Sequence, residues 1–175
     1  MKHFLVVVDM QRDFVNGSLG TAEADAMIPQ AVEKIRSFDG EIFVTYDTHF
    51  TDYPESAEGK KLPVPHCILG TPGWELDDRI TKALEGKPVT RVQKYTFGSD
   101  ELPDRILGKA AEEDFSIELI GLCTDICVIS NALILKARFP EKPISVDARC
   151  CAGVTPALHE AALAVMQSCQ IDIVK

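Results

Sequence analysis

The sequence predicts an α/β fold of three layers, α/β/α, around a central six-stranded, mostly parallel sheet. Two observations carry this. Short apolar runs alternate with stretches of helical periodicity from one end of the chain to the other, a pattern that gives a parallel sheet with helices on both faces. The first run is also continuously apolar rather than alternating, as strands buried on both faces are. The 175 residues fit one domain, residues 1–175, and no repeat, linker or low-complexity tract divides them.

Taken in order, residues 4–8 are an apolar run ending in Asp9 and read as a buried parallel strand. Residues 24–38 place Ile28, Ala31, Val32 and Ile35 at helical spacing, and Asp39-Gly40 closes that helix. Residues 41–46 are a second strand. Residues 47–73 form a long loop rich in Pro, His and Gly, and loops of that length in compact folds are usually functional. Residues 74–84 read as a helix anchored by Trp74, Ile80, Ala83 and Leu84, and residues 88–93 as a strand. A helix over 100–111 starts with acidic residues and carries Pro103 in its first turn. A strand at 116–122, an apolar helix at 125–137, a strand at 143–147, a helix at 156–168 and a strand at 171–174 complete the pattern.

Composition narrows the function. Hydrophobic residues make up 46% and charged residues 26%, enough for an ordinary core. With 18 Lys plus Arg against 27 Asp plus Glu, the net charge is −9. Such a surface repels phosphate backbones and anionic membranes, so neither nucleic acid nor membrane is an expected partner and a small molecule is. No apolar run approaches the ~20 residues of a membrane helix, and the opening run is too short for a signal peptide. A cytoplasmic location is therefore expected, with the six cysteines as free thiols rather than a disulfide framework.

In a parallel sheet, ligands bind beyond the carboxyl ends of the strands. The residues that follow the strands are Asp9, then Asp47-Thr48-His49, then Lys94, then Gly121-Leu122-Cys123-Thr124-Asp125-Ile126-Cys127. An acid, a base, a histidine and a thiol thus converge on one rim. Cys127 falls about one turn into a helical region, where free N–H groups and a nearby Lys94 are expected to lower its pKa. Asp9 is placed to take the thiol's proton and return it to a leaving amine. Each residue alone has a plainer reading: Cys127 as a small buried side chain, Asp9 as a turn cap, Lys94 as a surface charge. The chemical reading needs all three together.

A second set, Asp47, His49, Glu55 and His66, offers two imidazoles and two carboxylates, suited to one divalent ion: Zn²⁺ first, with Fe²⁺ or Mn²⁺ open. Asp52 competes with Glu55 in the same loop, and the plain alternative is a solvated polar loop. A thiolate zinc site from Cys123, Cys127, Cys150 and Cys151 has poor spacing.

These residues resemble the isochorismatase-like cysteine hydrolase superfamily, and within it the nicotinamidase (pyrazinamidase) family. Val6-Val7-Val8-Asp9-Met10-Gln11-Arg12-Asp13-Phe14 is similar to the first-strand signature, and Gly121 through Val128 to the nucleophile signature. The resemblance covers nearly the whole chain. It implies a Rossmann-like, isochorismatase-like hydrolase fold and a catalytic triad of Asp9, Lys94 and Cys127. It also implies a cis peptide between Leu122 and Cys123, and an oxyanion site from the backbone N–H groups of Cys123 and Cys127. Asp47-Thr48-His49 and Pro65-His66-Cys67 look like the nicotinamidase metal loop, whose remaining ligand is a His in some members and a Glu in others; here Glu55 is expected to supply it. The implied activity is metal-assisted hydrolysis of nicotinamide to nicotinate and ammonia through a Cys thioester, a step of NAD salvage, with Phe14 against the substrate ring. Relatives are often dimers or tetramers, so a homo-oligomer stays open.

Two departures bear on the substrate. Leu62-Pro63-Val64-Pro65-His66 lacks the aromatic that relatives place before this histidine, which leaves Tyr53 or Trp74 to cover the ring's second face. Lys94-Tyr95-Thr96-Phe97-Gly98-Ser99 lacks the spacing usual after this lysine. An amidase for another small carboxamide or carbamoyl compound, a non-catalytic ligand binder and a thiol redox sensor are the competing readings.

Overall fold

The computed structural model describes residues 1–175. Six strands form one sheet: β1 (Lys2–Val8), β2 (Glu41–Asp47), β3 (Val89–Lys94), β4 (Phe115–Leu122), β5 (Ile144–Ala152) and β6 (Asp172–Val174). Their order is β3-β2-β1-β4-β5-β6, and every pairing is parallel. The helices are α1 (Arg12–Val15), α2 (Ala22–Ser37), α3 (Asp78–Ala83), α4 (Leu102–Ala110), α5 (Ile129–Arg138) and α6 (Pro156–Ser168). No helix is long and apolar enough to cross a membrane.

The alternation of β1 explains the three layers. Phe4, Val6 and Val8 pack with Leu102, Ile106, Ala132, Leu135 and Met166 of α4, α5 and α6. Leu5 and Val7 pack with Met27, Ile28, Ala31, Ile35 and Ile80 of α2 and α3 on the other face. Successive strand residues point to opposite faces, so a continuous apolar run feeds two cores at once.

Strand order reverses between β1 and β4, the switch point where a crevice opens beyond the strand ends. Register fixes what stands there. Asp47 pairs with Lys94, and Val8 lies between Thr45 and Gly121. A side chain at Gly121 would collide with the Val8 carbonyl, so this close approach requires glycine. Asp9 leaves β1 with φ of 46°, breaking the strand's alternation at the rim.

Three elements differ from the sequence-based expectation. The helix expected over 74–84 is confined to Asp78–Ala83: Leu76 forms an antiparallel bridge with Gln11, and Asp77 caps the helix by accepting from the Arg79 amide at 2.9 Å. The strand expected to end at 147 runs on to Ala152, because Cys151 and Ala152 pair with Gly121 and Leu122. The helix expected from 125 opens as a π-turn, Thr124–Val128, before α5. The Cys123 carbonyl accepts from both Ile126 and Val128 amides at 3.1 Å, which widens that turn.

Candidate active site

Asp9, Lys94 and Cys127 meet at the switch point, all three buried. Lys94 Nζ lies 2.6 Å from Asp9 Oδ2, 3.2 Å from Asp47 Oδ1 and 3.5 Å from Cys127 Sγ, and donates to the Thr96 carbonyl at 3.1 Å. Thr45 Oγ1 donates to Asp9 Oδ1 at 2.6 Å and accepts from the Asp9 amide at 3.2 Å. Asp9 Oδ2 faces the Lys94 ammonium at 2.6 Å and accepts no hydrogen bond from any other group of the protein.

The electrostatics correct one expectation. Burial pushes the Cys127 thiol well above its ordinary range, and the Asp9 carboxylate adds to this against the pull of Lys94. The helical position and the lysine do not make a resting thiolate; one ammonium is shared among two carboxylates, a carbonyl and the sulfur. Asp9 is itself held above the usual carboxylate range by burial, with Lys94 opposing. Lys94 stays protonated, since Asp9, Cys127 and Asp47 outweigh its burial.

The Leu122–Cys123 peptide is cis. The Cys123 amide donates to no protein acceptor. Burial raises the Cys123 thiol to about 12, and Cys150 and Cys151 belong to opposite core clusters, so no thiolate cluster forms.

Asp47, His49 and His66 bring one ligand atom each to within 4.8 Å of one another. His49 Nε2 is 3.0 Å and His66 Nε2 3.5 Å from Asp47 Oδ2. His66 Nδ1 donates to the Val64 carbonyl at 2.8 Å, which leaves Nε2 to face the carboxylates, the second-sphere arrangement of a metal-ligating histidine. Burial would raise Asp47, but hydrogen bonds from both imidazoles and the charge of Lys94 hold it well below the carboxylate range. Gln11 fixes this strand end: its side chain accepts from the Asp47 amide and donates to the Asp47 carbonyl, both at 2.8 Å.

Glu55 is not brought into this group. It lies exposed in a 3₁₀ turn, Tyr53–Glu55, and the carboxylate that reaches the imidazoles is Glu58, 3.5 Å from His66 Nε2 and 3.8 Å from His49 Nε2. Asp52 is exposed as well. The turn carries the chain back over the site three residues later than expected, and burial raises the Glu58 carboxyl, with Asp47 adding to it.

Cys127 from the first set and Asp47, His49, Glu58 and His66 from the second line one cavity of about 670 Å³. Phe14 lines it beside His66, with ring centroids 5.4 Å apart. The two aromatics expected to face it do not. Tyr53 is buried against the edges of His49 and His66, and the Trp74 indole packs on Tyr46 and donates to Thr48. Leu62, Tyr95 and Phe97 also line it. The signal for them was the pair of irregular segments flanking Lys94 and His66.

The Isochorismatase domain family model matches residues 3–175. Nicotinamidase 1 of Arabidopsis thaliana is 28% identical over 184 residues, covering 90% of this chain and 72% of the relative. A pyrazinamidase of Pyrococcus horikoshii solved in complex with zinc aligns with a TM-score of 0.81 at 26% identity, covering 100% of this chain and 99% of that one. An N-carbamoylsarcosine amidase from Thermoplasma acidophilum aligns with a TM-score of 0.76 at 26% identity, covering 100% and 96%.

Proposed function

We propose, for a chain that belongs to the isochorismatase family, that it is a metal-assisted cysteine amidohydrolase converting nicotinamide to nicotinate and ammonia. The observation that carries this is the shared cavity: one wall holds the Cys127 thiol, and another holds Asp47, His49, Glu58 and His66. A substrate suited to both presents an amide carbon to sulfur and a ring nitrogen to a metal.

Asp47, His49, His66 and Glu58 would hold the ion, a mixed nitrogen and oxygen set that suits Zn²⁺, Fe²⁺ or Mn²⁺. When bound, the ion supplies a Lewis-acid anchor for the pyridine nitrogen. The protein's own groups perform the rest. Phe14 packs on one ring face and Leu62, Tyr95 and Phe97 close the other. Asp9 takes the thiol proton as sulfur attacks the amide carbon, and Lys94 stabilises the sulfur's charge. The amides of Cys123 and Cys127 hold the developing oxyanion. Asp9 then gives that proton to the departing NH2 group, which leaves as ammonia, and water cleaves the thioester to release nicotinate and restore the thiol.

The test is ammonia release from nicotinamide, with and without chelator, by the native protein and Cys127→Ala. Native turnover that falls with chelator and drops at least ~1,000-fold in the variant is expected; retention of most activity by Cys127→Ala would end the proposal. A second reading, a cysteine amidase for another carboxamide or a carbamoyl compound, is favoured by the absence of an aromatic from Leu62-Pro63-Val64-Pro65 before His66 and by the likeness to a carbamoylsarcosine amidase. Turnover that persists on carbamoyl compounds and is absent on nicotinamide under every metal condition would select it.

A further inference from the structure

The segment after Lys94 forms part of the cavity wall, yet it belongs to a loop with no strand partner. Something must hold Tyr95–Ser99 in register with the nucleophile. Asn131, on the first turn of α5, is fully buried, and its carboxamide is used at both ends. Nδ2 donates to the Cys127 carbonyl at 2.8 Å and to the Phe97 carbonyl at 3.3 Å, while Oδ1 accepts from the Ser99 amide at 3.0 Å. One side chain thus ties the residue carrying the thiol to the loop carrying the wall. Buried amides with every group satisfied specify one arrangement rather than several.

The rest of the loop fits this single seat. Lys94 Nζ donates to the Thr96 carbonyl, and Thr96 Oγ1 donates to the Gly98 carbonyl at 2.6 Å. Gly98 lies flat on α5, where a Cβ would run into Ile134 Cδ1. Ser99 Oγ accepts from the Leu102 amide at 3.2 Å and so starts α4. The loop is therefore pinned to Lys94 at one end, to α4 at the other and to the nucleophile's turn in the middle.

We infer that Asn131 is a positioning residue that sets the distance between the Cys127 thiol and the Phe97 wall, and through it the preference of the site for planar ring amides over small aliphatic ones. This rests on the proposed chemistry at Cys127, so the test reads the thiol without requiring hydrolysis. Cys127 is alkylated with iodoacetamide and, separately, with N-phenyl iodoacetamide, and modification is followed cysteine by cysteine by mass spectrometry. The native protein should favour the aryl probe. Asn131→Ala should lower the aryl-to-small rate ratio at Cys127 by about tenfold while Cys150 and Cys151 stay as protected as before. A ratio within twofold of native in the folded variant would overturn the inference, as would a parallel rise in alkylation at all buried cysteines, which marks general loosening. Should Asn131→Ala fail to fold, Asn131→Asp keeps the side chain's shape and its acceptor for the Ser99 amide but loses the donation to the Cys127 and Phe97 carbonyls. It is expected to lower the same ratio, and an unchanged ratio there also refutes the role. Because the readout is alkylation, an absence of nicotinamide turnover would count against the proposed substrate and leave the Asn131 result standing.

Discussion

Replacing Lys94 by Met gives the sharpest test of how the buried charges are balanced. The side chain is 1% exposed and faces Asp9, 0% exposed, at 2.6 Å and Asp47, 5% exposed, at 3.2 Å. Methionine fills nearly the same space but leaves two buried carboxylates without this cation. Breaking a buried pair in this way costs about 3–5 kcal/mol. At roughly 2–4 °C per kcal/mol for a chain of this size, the melting temperature should fall by about 6–20 °C near neutral pH in chelator-treated protein. The deficit should depend on pH with a definite sign. Burial already raises Asp9, and Lys94 is the group that pulls it down. A carboxyl raised on folding stabilises the fold below its unfolded value, about 3.9, and loses that contribution as pH rises through its folded value. Without Lys94 the folded value climbs, so the gap between variant and native protein opens as pH rises above the acidic range and narrows on acidification. Adding Asp9→Asn to Lys94→Met removes one stranded charge and should recover about 2 kcal/mol or more. Calorimetric melts between pH 4 and 8 measure this. A Lys94→Met protein within ~1 kcal/mol of native at pH 7, or a double variant no more stable than the single, would refute the charge accounting.

Glu58→Gln keeps the side chain's shape and removes its charge; it should weaken divalent-ion affinity by about 10–100-fold in titration calorimetry, whereas Glu55→Gln, on the exposed face of the turn, should leave it unchanged. Equal effects from the two would contradict the placement of Glu58. Thr45→Val removes the donor to Asp9 Oδ1 and should cost about 1–3 kcal/mol of stability together with a fall in turnover, read by melting and ammonia release.

Much of this arrangement was legible because the relevant residues sit at strand ends. The continuous apolar run of the first strand ends at Val8, the second and third strands end at Asp47 and Lys94, and a parallel sheet then places Asp9, Asp47, Lys94 and the 121–127 segment on one rim. Asp47 and His49 followed from the same logic, being the last residue of β2 and the second one after it. Residues whose position depends on an irregular path were not legible. Glu55 and Glu58 differ by three places in one loop, and only the 3₁₀ turn at Tyr53–Glu55 decides which faces the imidazoles. Trp74 was read as a helical anchor because its spacing fits one, while the bridge between Gln11 and Leu76 that stretches this segment is a long-range contact. Asn131, in a stretch that reads as an apolar helix, carries no signal in the sequence, since its partners lie 4, 32 and 34 positions away.

The state of the thiol is not legible in the sequence for a different reason, one of counting rather than of placement. A lysine beside a cysteine favours the thiolate only if its charge is not already engaged. Here the Lys94 ammonium already faces the Asp9 and Asp47 carboxylates at 2.6 and 3.2 Å, so a thiolate at Cys127 would be a third anion around the same buried cation. The thiol therefore keeps its proton at rest, with its pKa pushed up by burial and by the Asp9 carboxylate against the pull of Lys94. On the proposed mechanism this suits Asp9, whose carboxyl, held above the usual carboxylate range by burial, takes the thiol's proton during attack and returns it to the leaving amine. Charge then builds on sulfur only as the amide carbon accepts it, and the buried lysine, fixed by four contacts, has no reorganisation to make when it does.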